Sequence, residues 1–320
     1  MSIAHRATPL HRTKALSTLR PMRLPPLLTA GARVALVAPA GPLRGSEELD
    51  KSIANARSLG WEPIPGAHVL ARHGYLGGTD AERLQDLNTA LADDDVDAVW
   101  CVRGGFGATR ILPHVDWASL NRRPRALIGF SDVTALHAAA STRCELITYH
   151  APTARGTLSD FSRTSLVRAV AEGRDPCGRA ESARAVREGR AFGRLVGGNL
   201  AILAALAGTP YAPDYRGALL LLEDVGEPAY RIDRMLTQLR MSGALTQIAG
   251  LVVGHFTEAT LGNDLSSETL DALVAEAADV ARVPAIVGIP VGHIDDQWTI
   301  PLGATAHLDA DTLTLTVQLS

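Results

Sequence analysis

Short apolar runs alternate with segments of helical spacing over the first half of the chain. The runs Val34–Ala38 and Ala126–Phe130 are typical of buried strands. Between them, Ser46 begins one predicted helix, and Thr79 with Glu82 three residues later is the N-cap signature of a second. Strands that alternate with helices predict a mainly parallel sheet that helices cover on both faces.

Polar or glycine-rich segments follow directly after three of the predicted strands. Arg103–Gly107 follows the run Asp97–Val102, His150 follows the run Glu145–Tyr149, and Ser131 follows the second run named above. Ligands of parallel sheets bind at the carboxyl ends of the strands. We therefore expect Ser131, His150 and the Arg103–Gly107 loop to lie along one edge of the sheet.

The second half of the chain has a different pattern. A strongly apolar helix, Leu200–Ala207, precedes the continuous apolar strand Ala218–Leu222, and Glu223 follows that strand directly. Near the end, Ala304–Leu308 and Thr312–Leu319 alternate between apolar and polar residues, which predicts a β-hairpin.

Length and composition divide the chain into segments. Its 320 residues are enough for two domains of roughly 150 residues each. Residues 1–28 contain basic but no acidic side chains and no long apolar run, which predicts a disordered extension, with Met22 as an alternative start. Residues 155–190 are rich in Arg, Glu and Ser, which indicates a linker or an exposed helix. The predicted domains are therefore 29–154 and 191–320.

Charge and cysteine content limit the possible functions. The formal net charge of −3 gives no electrostatic reason to expect nucleic-acid binding, and no run of apolar residues is long enough to cross a membrane. Cys101, Cys144 and Cys177 have neither metal-ligand nor disulfide-framework spacing, which favours a reducing, cytoplasmic location. His293 has acidic neighbours but no second histidine at ligand spacing, so we expect no metal and no cofactor.

Ser131 is the candidate nucleophile. It lies between a predicted strand and a predicted helix, where a side chain projects beside the free N–H groups of the helix start, as in the nucleophile elbow of serine hydrolases. The local pattern Gly-Phe-Ser-Asp lacks the second glycine of Gly-x-Ser-x-Gly. The alternative interpretation is that Ser131 is only a helix N-cap and that the helix dipole favours Asp132.

A serine nucleophile needs a base, and the base needs an orienting group. His293 is the candidate base because a glycine precedes it in a loop after a predicted strand; the alternative is a surface histidine. Glu223 is the candidate orienting acid, because a carboxylate directly after four leucines needs a buried partner. The alternative for Glu223 is an ion pair with an arginine such as Arg231 or Arg234.

The glycines of Arg103–Gly107 are candidates for binding negative charge. The segment fits neither Gly-x-Gly-x-x-Gly nor a Walker loop. Backbone N–H groups of Gly104 or Gly105 suit an oxyanion hole as well as a phosphate site.

Several segments together resemble the L,D-carboxypeptidase family of serine peptidases, which includes the muramoyl-tetrapeptide carboxypeptidases and the microcin-immunity hydrolases. They occur in the family's order and cover nearly all of the chain after residue 30. The matching segments are Val34–Pro42, Arg103–Arg110, Leu127–His137, Gly197–Leu200, Leu222–Arg234, Gly292–His293 and Ile300–Gly303.

The resemblance implies a Ser–His–Glu triad, with Ser131 as nucleophile, His293 as base and Glu223 as orienting acid. It also implies an α/β fold, in which an N-terminal Rossmann- or flavodoxin-like parallel-sheet domain is joined to a smaller, β-rich C-terminal α/β domain. The triad would then span the cleft between the domains.

The resemblance further implies an oxyanion hole made by the backbone N–H of Asp132 and that of one glycine, and the choice between Gly104 and Gly105 stays open. Arg103 and His150, each at the carboxyl end of a predicted strand, are candidates for binding the substrate. Two departures from the family pattern, Phe106 for the usual tyrosine and Ala151 for the usual glycine, bear on substrate preference.

The implied activity is the removal of the terminal D-alanine from murein tetrapeptides during peptidoglycan recycling, by a cytoplasmic homodimer. No aromatic-rich insertion that could stack on a nucleotide base is evident, which favours this branch of the family. The alternatives are a hydrolase of peptidyl or acyl-aminoacyl nucleotides with the same triad, and a non-catalytic ligand-binding module.

Overall fold

The computed structural model describes residues 22–257 and 266–319. The strands are β1 (Arg33–Val37), β2 (Glu62–Pro65), β3 (Ala98–Cys101), β4 (Ala126–Gly129), β5 (Thr148–His150), β6 (Gly178–Arg179), β7 (Arg184–Arg187), β8 (Arg190–Asn199), β9 (Leu219–Val225), β10 (Gly250–Thr257), β11 (Ala285–Val287), β12 (Ile300–Leu302), β13 (Thr305–Asp309) and β14 (Thr314–Gln318). The helices are α1 (Ser46–Ser58), α2 (Asp80–Ala92), α3 (Ala108–Ile111), α4 (Trp117–Arg122), α5 (Thr134–Cys144), α6 (Asp160–Val170), α7 (Leu200–Leu206), α8 (Ala229–Met241) and α9 (Ser267–Ala281).

The first sheet has the strand order β12-β5-β4-β3-β1-β2. Strands β1 to β5 are parallel, and their order is that of flavodoxin-like folds, as expected. Strand β12 arrives from the C-terminal half and pairs antiparallel with β5, placing Ile300 opposite His150. Helices cover both faces, so the strands are buried on both sides, as parallel sheets require.

Side chains alternate between the two faces of this sheet. In β1, Ala35 and Val37 pack with Leu87 of α2 and Leu136 of α5. On the opposite face, apolar side chains of the same strands pack with α1 and α6, including Leu166. The predicted start of α2 is confirmed, because Thr79 and Glu82 form a reciprocal capping box.

The second sheet has the order β6-β14-β13-β8-β9-β10-β11-β7, with a parallel centre formed by β8 to β11. Helices α7, α8 and α9 cover one face. The leucines of β9 alternate between this helical layer and the opposite core cluster, to which Trp298 and Ile300 belong. Strands β13 and β14 form the predicted hairpin. The predicted α/β class with a β-rich C-terminal unit is confirmed.

Residues 22–28 of the predicted basic extension make specific contacts, so the prediction of disorder is wrong for them. The N–H of Arg23 donates to the carbonyl of Glu145 at 2.7 Å, and Leu28 is buried in the core. Pairing with the chain before β5 and burial of Leu28 outweigh the basic composition. Residues 1–21 lie outside the described residues, so the prediction stays untested there.

The segment 155–190, predicted as a linker or exposed helix, contains helix α6 and strands β6 and β7. Helix α6 is packed: Leu166 and Val170 are buried in the first core, and Ser165 donates to the carbonyl of Pro176 at 2.8 Å. Composition concealed this packing because several of the buried side chains are small or polar. The domain boundaries themselves stay predictions.

None of the helices in the described ranges is both long and apolar enough to cross a bilayer.

Candidate active site

Ser131 occupies a strained turn between β4 and α5. Its φ is 65°, in the left-handed region that residues other than glycine rarely adopt. Phe130, not Ser131, is at the N-cap of the short 3₁₀ turn Ser131–Val133, and no side chain caps that turn. The alternative interpretation of Ser131 as an N-cap is therefore wrong. Strain of this kind is typical of functional sites and of nucleophile elbows.

The glycine-rich loop lies directly against this serine. A Cβ on Gly104 would be 2.7 Å from the Cβ and 2.9 Å from the Oγ of Ser131. The carbonyl of Gly104 accepts a hydrogen bond from the N–H of Gly41 at 2.8 Å, which fixes the loop. Within residues 22–257 and 266–319, the N–H groups of Gly104, Gly105 and Asp132 donate no hydrogen bond. All three are therefore free to bind an oxyanion.

The side chain of Asp132 anchors the turn from behind. It is buried, and its Oδ2 accepts a hydrogen bond from the N–H of Ala108 at 2.8 Å, at the start of α3. Burial raises the pKa of Asp132 to about 6, and the hydrogen bond to Ala108 opposes that shift. This link fixes the turn that carries Ser131 relative to the glycine-rich loop.

Glu223 and His293 form a pair at the end of β9. The Oε2 of Glu223 lies 2.9 Å from the Nδ1 of His293, and the Glu223 side chain is completely buried. Gly292 has φ 121°, and a Cβ there would lie 3.0 Å from the carbonyl oxygen of His255 and 3.3 Å from Glu223 Oε2. A glycine before His293 is therefore required for the approach, as the sequence pattern indicated.

The alternative partners of Glu223 lie elsewhere. Arg231 pairs with Glu227 at 2.8 Å, and the guanidinium of Arg234 lies over the ring of Tyr230 at 5.3 Å from its centroid. The ion-pair interpretation of Glu223 is therefore wrong.

Asp224 follows Glu223 directly but has different partners, because successive strand residues point to opposite faces of the sheet. It accepts hydrogen bonds from the Asn199 side chain at 2.7 Å and from the N–H of Ala201 at 2.9 Å. Burial raises the pKa of Asp224 to about 6. It thus stabilises the start of α7, while Glu223 faces His293.

Phe130 connects the two halves of the site. Its ring centroid lies 4.7 Å from that of His293, so the residue before Ser131 contacts the candidate base. The N–H of Asn199 donates to the Thr134 hydroxyl at 3.0 Å, a second link between the halves. No hydrogen bond joins Ser131 to His293 in the described structure, and such bonds are often long in ligand-free sites.

His150 lies behind Phe130 and has no exposed surface. Its two ring nitrogens have no hydrogen-bond partner among the described residues. Burial, followed by the charges of His137 and His293, holds the pKa of His150 well below its usual value, so the ring is neutral at neutral pH. His150 is therefore not accessible to a substrate in this structure, and its role in substrate binding stays a prediction.

Arg103 is half-buried beside the glycine-rich loop, and its Nη1 donates to the carbonyl of Pro42. Burial, followed by the positive charge of Arg155, lowers the pKa of Arg103. Its contact with a substrate stays a prediction.

The sequence interpretation missed two features near the site. Gly41 supports Gly104, and the exposed rings of Tyr75 and Phe106 meet edge to face with centroids 5.6 Å apart. Gly41 was recognisable only as part of a turn, and Tyr75 lies in a loop without a motif. Within the described ranges, no three His, Cys, Asp or Glu side chains are grouped to hold a metal ion.

Two family models match the chain. The model for the LD-carboxypeptidase N-terminal domain matches residues 34–151, and the model for the LD-carboxypeptidase C-terminal domain matches residues 192–308. The chain belongs to the LD-carboxypeptidase family. The resemblance of its motifs is thereby confirmed.

This LD-carboxypeptidase family member has relatives of nearly the same length. It is 42% identical to a putative carboxypeptidase of Streptomyces coelicolor, over 94% of this chain and 96% of the relative. It is 37% identical to the murein tetrapeptide carboxypeptidase of Pseudomonas aeruginosa, over 88% of this chain and 94% of the relative. These similarities support a carboxypeptidase.

The fold of this family member is also that of an MccF-like protein from Bacillus anthracis. The TM-score is 0.84 at 22% sequence identity, and the alignment covers 92% of this chain and 99% of the other. Identity at this level shows the fold alone.

Proposed function

We propose that this protein is a serine carboxypeptidase that removes the terminal D-alanine from murein tetrapeptides. The observation that carries the proposal is the left-handed backbone of Ser131, which lies against Gly104 and beside the free N–H groups of Gly105 and Asp132. A strained serine next to unpaired donors suits attack on a carbonyl. The relative from Pseudomonas aeruginosa, by its name, acts on murein tetrapeptides.

In the proposed reaction, the Oγ of Ser131 attacks the carbonyl carbon that precedes the terminal D-alanine. His293 accepts the serine proton through Nε2, because its Nδ1 faces Glu223. The carbonyl oxygen becomes negatively charged and is bound by backbone N–H groups of Asp132 and Gly104 or Gly105. His293 then gives the proton to the leaving amine as the C–N bond breaks.

The remaining acyl-enzyme is an ester of Ser131. A water molecule loses a proton to His293 and attacks the ester carbonyl, and His293 returns that proton to the Oγ of Ser131. Throughout, Glu223 orients His293 and stabilises the charged imidazolium. The proposed setting is peptidoglycan recycling in the cytoplasm, by a homodimer, and the reaction as written uses neither metal nor cofactor.

A second candidate is the hydrolysis of acyl-aminoacyl nucleotides by the same triad. The exposed aromatic pair Tyr75–Phe106, beside the glycine-rich loop, favours it, because exposed rings can stack on a nucleotide base. The murein substrate is preferred, since the named relative at 37% identity carries that activity in its name.

The deciding experiment incubates the purified protein with a murein tetrapeptide that ends in D-alanine and follows D-alanine by mass spectrometry. The parent and Ser58→Ala, a control at an exposed serine near the end of α1, are expected to release it. Ser131→Ala is expected to lose at least about 10³-fold in rate. Release by Ser131→Ala at the parent rate would refute the nucleophile assignment.

The same assay with an aminoacyl sulfamoyl adenosine tests the second candidate. Cleavage of that compound, with no D-alanine released from the tetrapeptide, would favour the nucleotide substrate over the murein substrate.

A further inference from the structure

Four arginines surround the turn after β1, and each follows a different parallel strand of the first sheet. The nearest to the nucleophile, Arg103, donates to the carbonyl of Pro42, and its pKa is lowered by burial and then by the positive charges of its neighbours. This arginine cluster consists of Arg44 after β1, Arg72 after β2, Arg103 after β3 and Arg155 after β5. The parallel topology brings them together because all four loops lie at the carboxyl edge of the sheet.

The charge of the arginine cluster is only partly compensated. Glu48 accepts a hydrogen bond from Arg155 at 2.8 Å and one from the N–H of Arg44 at 2.8 Å. Arg72 and Arg103 donate to the backbone carbonyls of the β1 loop, which carry no net charge. Glu48 is thus the one carboxylate that the described structure pairs with members of this cluster of four guanidinium groups, and a second anion would be favoured there.

The cluster lies beside the reacting centre. Arg103 immediately precedes Gly104, whose backbone touches Ser131. A Cβ on Gly41 would lie 2.8 Å from the Gly104 carbonyl oxygen and 3.7 Å from the Arg103 Nε, so the loop after β1 joins the same site. An anion bound by Arg103 would therefore lie close to a substrate carbonyl under attack.

We propose that the arginine cluster, with Arg103 as its central member, binds the free carboxylate of the substrate's last residue. In a carboxypeptidase substrate this carboxylate is attached to the same α-carbon as the leaving nitrogen, so its binding site must adjoin the nucleophile. The planar guanidinium of arginine matches a carboxylate in geometry and charge. This inference rests on the proposed carboxypeptidase function and explains why cleavage occurs at the chain end.

The test compares two peptides that differ only at the last group: a tetrapeptide ending in D-alanine and the same peptide ending in D-alaninamide. We expect the parent to have a kcat/KM for the free acid about 10- to 100-fold higher, as for one or two hydrogen bonds to a charged group. Arg103→Gln should lose most of this preference, chiefly through KM for the free acid, and Arg103→Lys should keep part of it.

The matched control is Arg110→Gln. Arg110 follows the same loop, but its guanidinium is held by Asp80 through bonds of 2.8 to 3.1 Å, so the acid preference should stay at the parent value. If Arg103→Gln only damaged the loop in general, cleavage of both peptides would slow equally, and the acid-to-amide ratio of kcat/KM would not change. The inference would be overturned if the parent had nearly equal kcat/KM values for the acid and the amide. It would also be overturned if Arg103→Gln had the same acid-to-amide ratio of kcat/KM as the parent.

Failure of the proposed carboxypeptidase function can be distinguished from failure of this inference. If the parent cleaves neither peptide, calorimetric binding of the acid and the amide to the parent and to Arg103→Gln still decides the inference. Tighter binding of the acid that disappears in Arg103→Gln supports the arginine cluster as a carboxylate site. Equal binding of the two peptides by the parent contradicts it.

Discussion

Gly104 and Ser131 are in backbone-to-side-chain contact, with space for a hydrogen atom but not for a methyl group between them. A Cβ at position 104 would lie 2.7 Å from the serine Cβ, closer than real Cβ atoms approach other atoms. This contact makes the glycine-rich loop and the nucleophile turn a single unit. The identity of residue 104 therefore controls the geometry of the serine.

Gly104→Ala is expected to reduce kcat/KM at least about 10²-fold, because the loop or Ser131 must move out of its productive position. Rates of D-alanine release and thermal unfolding are measured together. The control is Gly45→Ala, at an extended residue where a Cβ would meet nothing within 4 Å. Equal activity of the two variants would show that the contact is unimportant.

Glu223→Gln is expected to lower kcat about 10²- to 10⁴-fold, because an amide removes the negative charge that stabilises the imidazolium of His293. Glutamine nearly preserves the shape of the side chain, so the loss should appear mainly in kcat. The comparison is Glu276→Gln, an exposed carboxylate paired with Arg240 on the surface, which should leave the rate unchanged. Retention of full activity by Glu223→Gln would remove Glu223 from the proposed triad.

Gly292→Ala is expected to separate His293 from Glu223. The added methyl group would lie 3.3 Å from the Glu223 Oε2 in a left-handed backbone, and we expect a loss in kcat of about 10²-fold or more. Gly217→Ala is the matched variant, since Gly217 also has a positive φ, 64°, but open space around it. It should lose stability by about 1 kcal/mol without loss of kcat. Similar kcat values for both variants would contradict the expected separation.

Asp132→Asn is expected to change how stability depends on pH. The folded-state pKa of Asp132 is raised from 3.8 to about 6, so its contribution is fully present below pH 3.8 and is lost as pH rises through 6. The variant lacks this titration. Its free energy of unfolding relative to the parent should therefore rise between pH 4 and 7, by at most about 3 kcal/mol.

Urea unfolding of the parent and of Asp132→Asn at several pH values measures this difference. Asp224 has a pKa raised in the same direction, so the parent alone cannot separate the two carboxylates, but the parent-minus-variant difference does. Parallel stability curves for the two proteins would show that Asp132 does not titrate in this range.

Much of the fold was predictable because its signals are local. The run before Ser131 marked a strand, and Thr79 with Glu82 marked a helix start, which the capping box confirms. The segment 155–190 was predicted as a linker or an exposed helix, and the burial of helix α6 was missed. Two of the side chains it buries are serines, whose burial depends on hydrogen-bond partners distant in sequence. Ser162, for example, accepts a hydrogen bond from the N–H of Gln297 at 2.8 Å.

The site was predictable from the sequence where a buried polar group requires a partner. A carboxylate after four leucines must have a partner, and Glu223 does pair with His293. The left-handed backbone of Ser131 was not predictable from Gly-Phe-Ser-Asp, because tertiary contacts impose it. The contact between the rings of Phe130 and His293 joins opposite halves of the chain, and no local pattern encodes it.

Strand β12 makes the first sheet depend on a segment from the C-terminal half of the chain. It is supplied by the chain just after His293, yet it completes the edge of the sheet that carries Ser131. An unfinished chain that stops before residue 300 would leave the edge of β5 exposed and open to pairing with other chains. We therefore expect the first sheet to be complete, and its edge protected from pairing with other chains, only after β12 has been added.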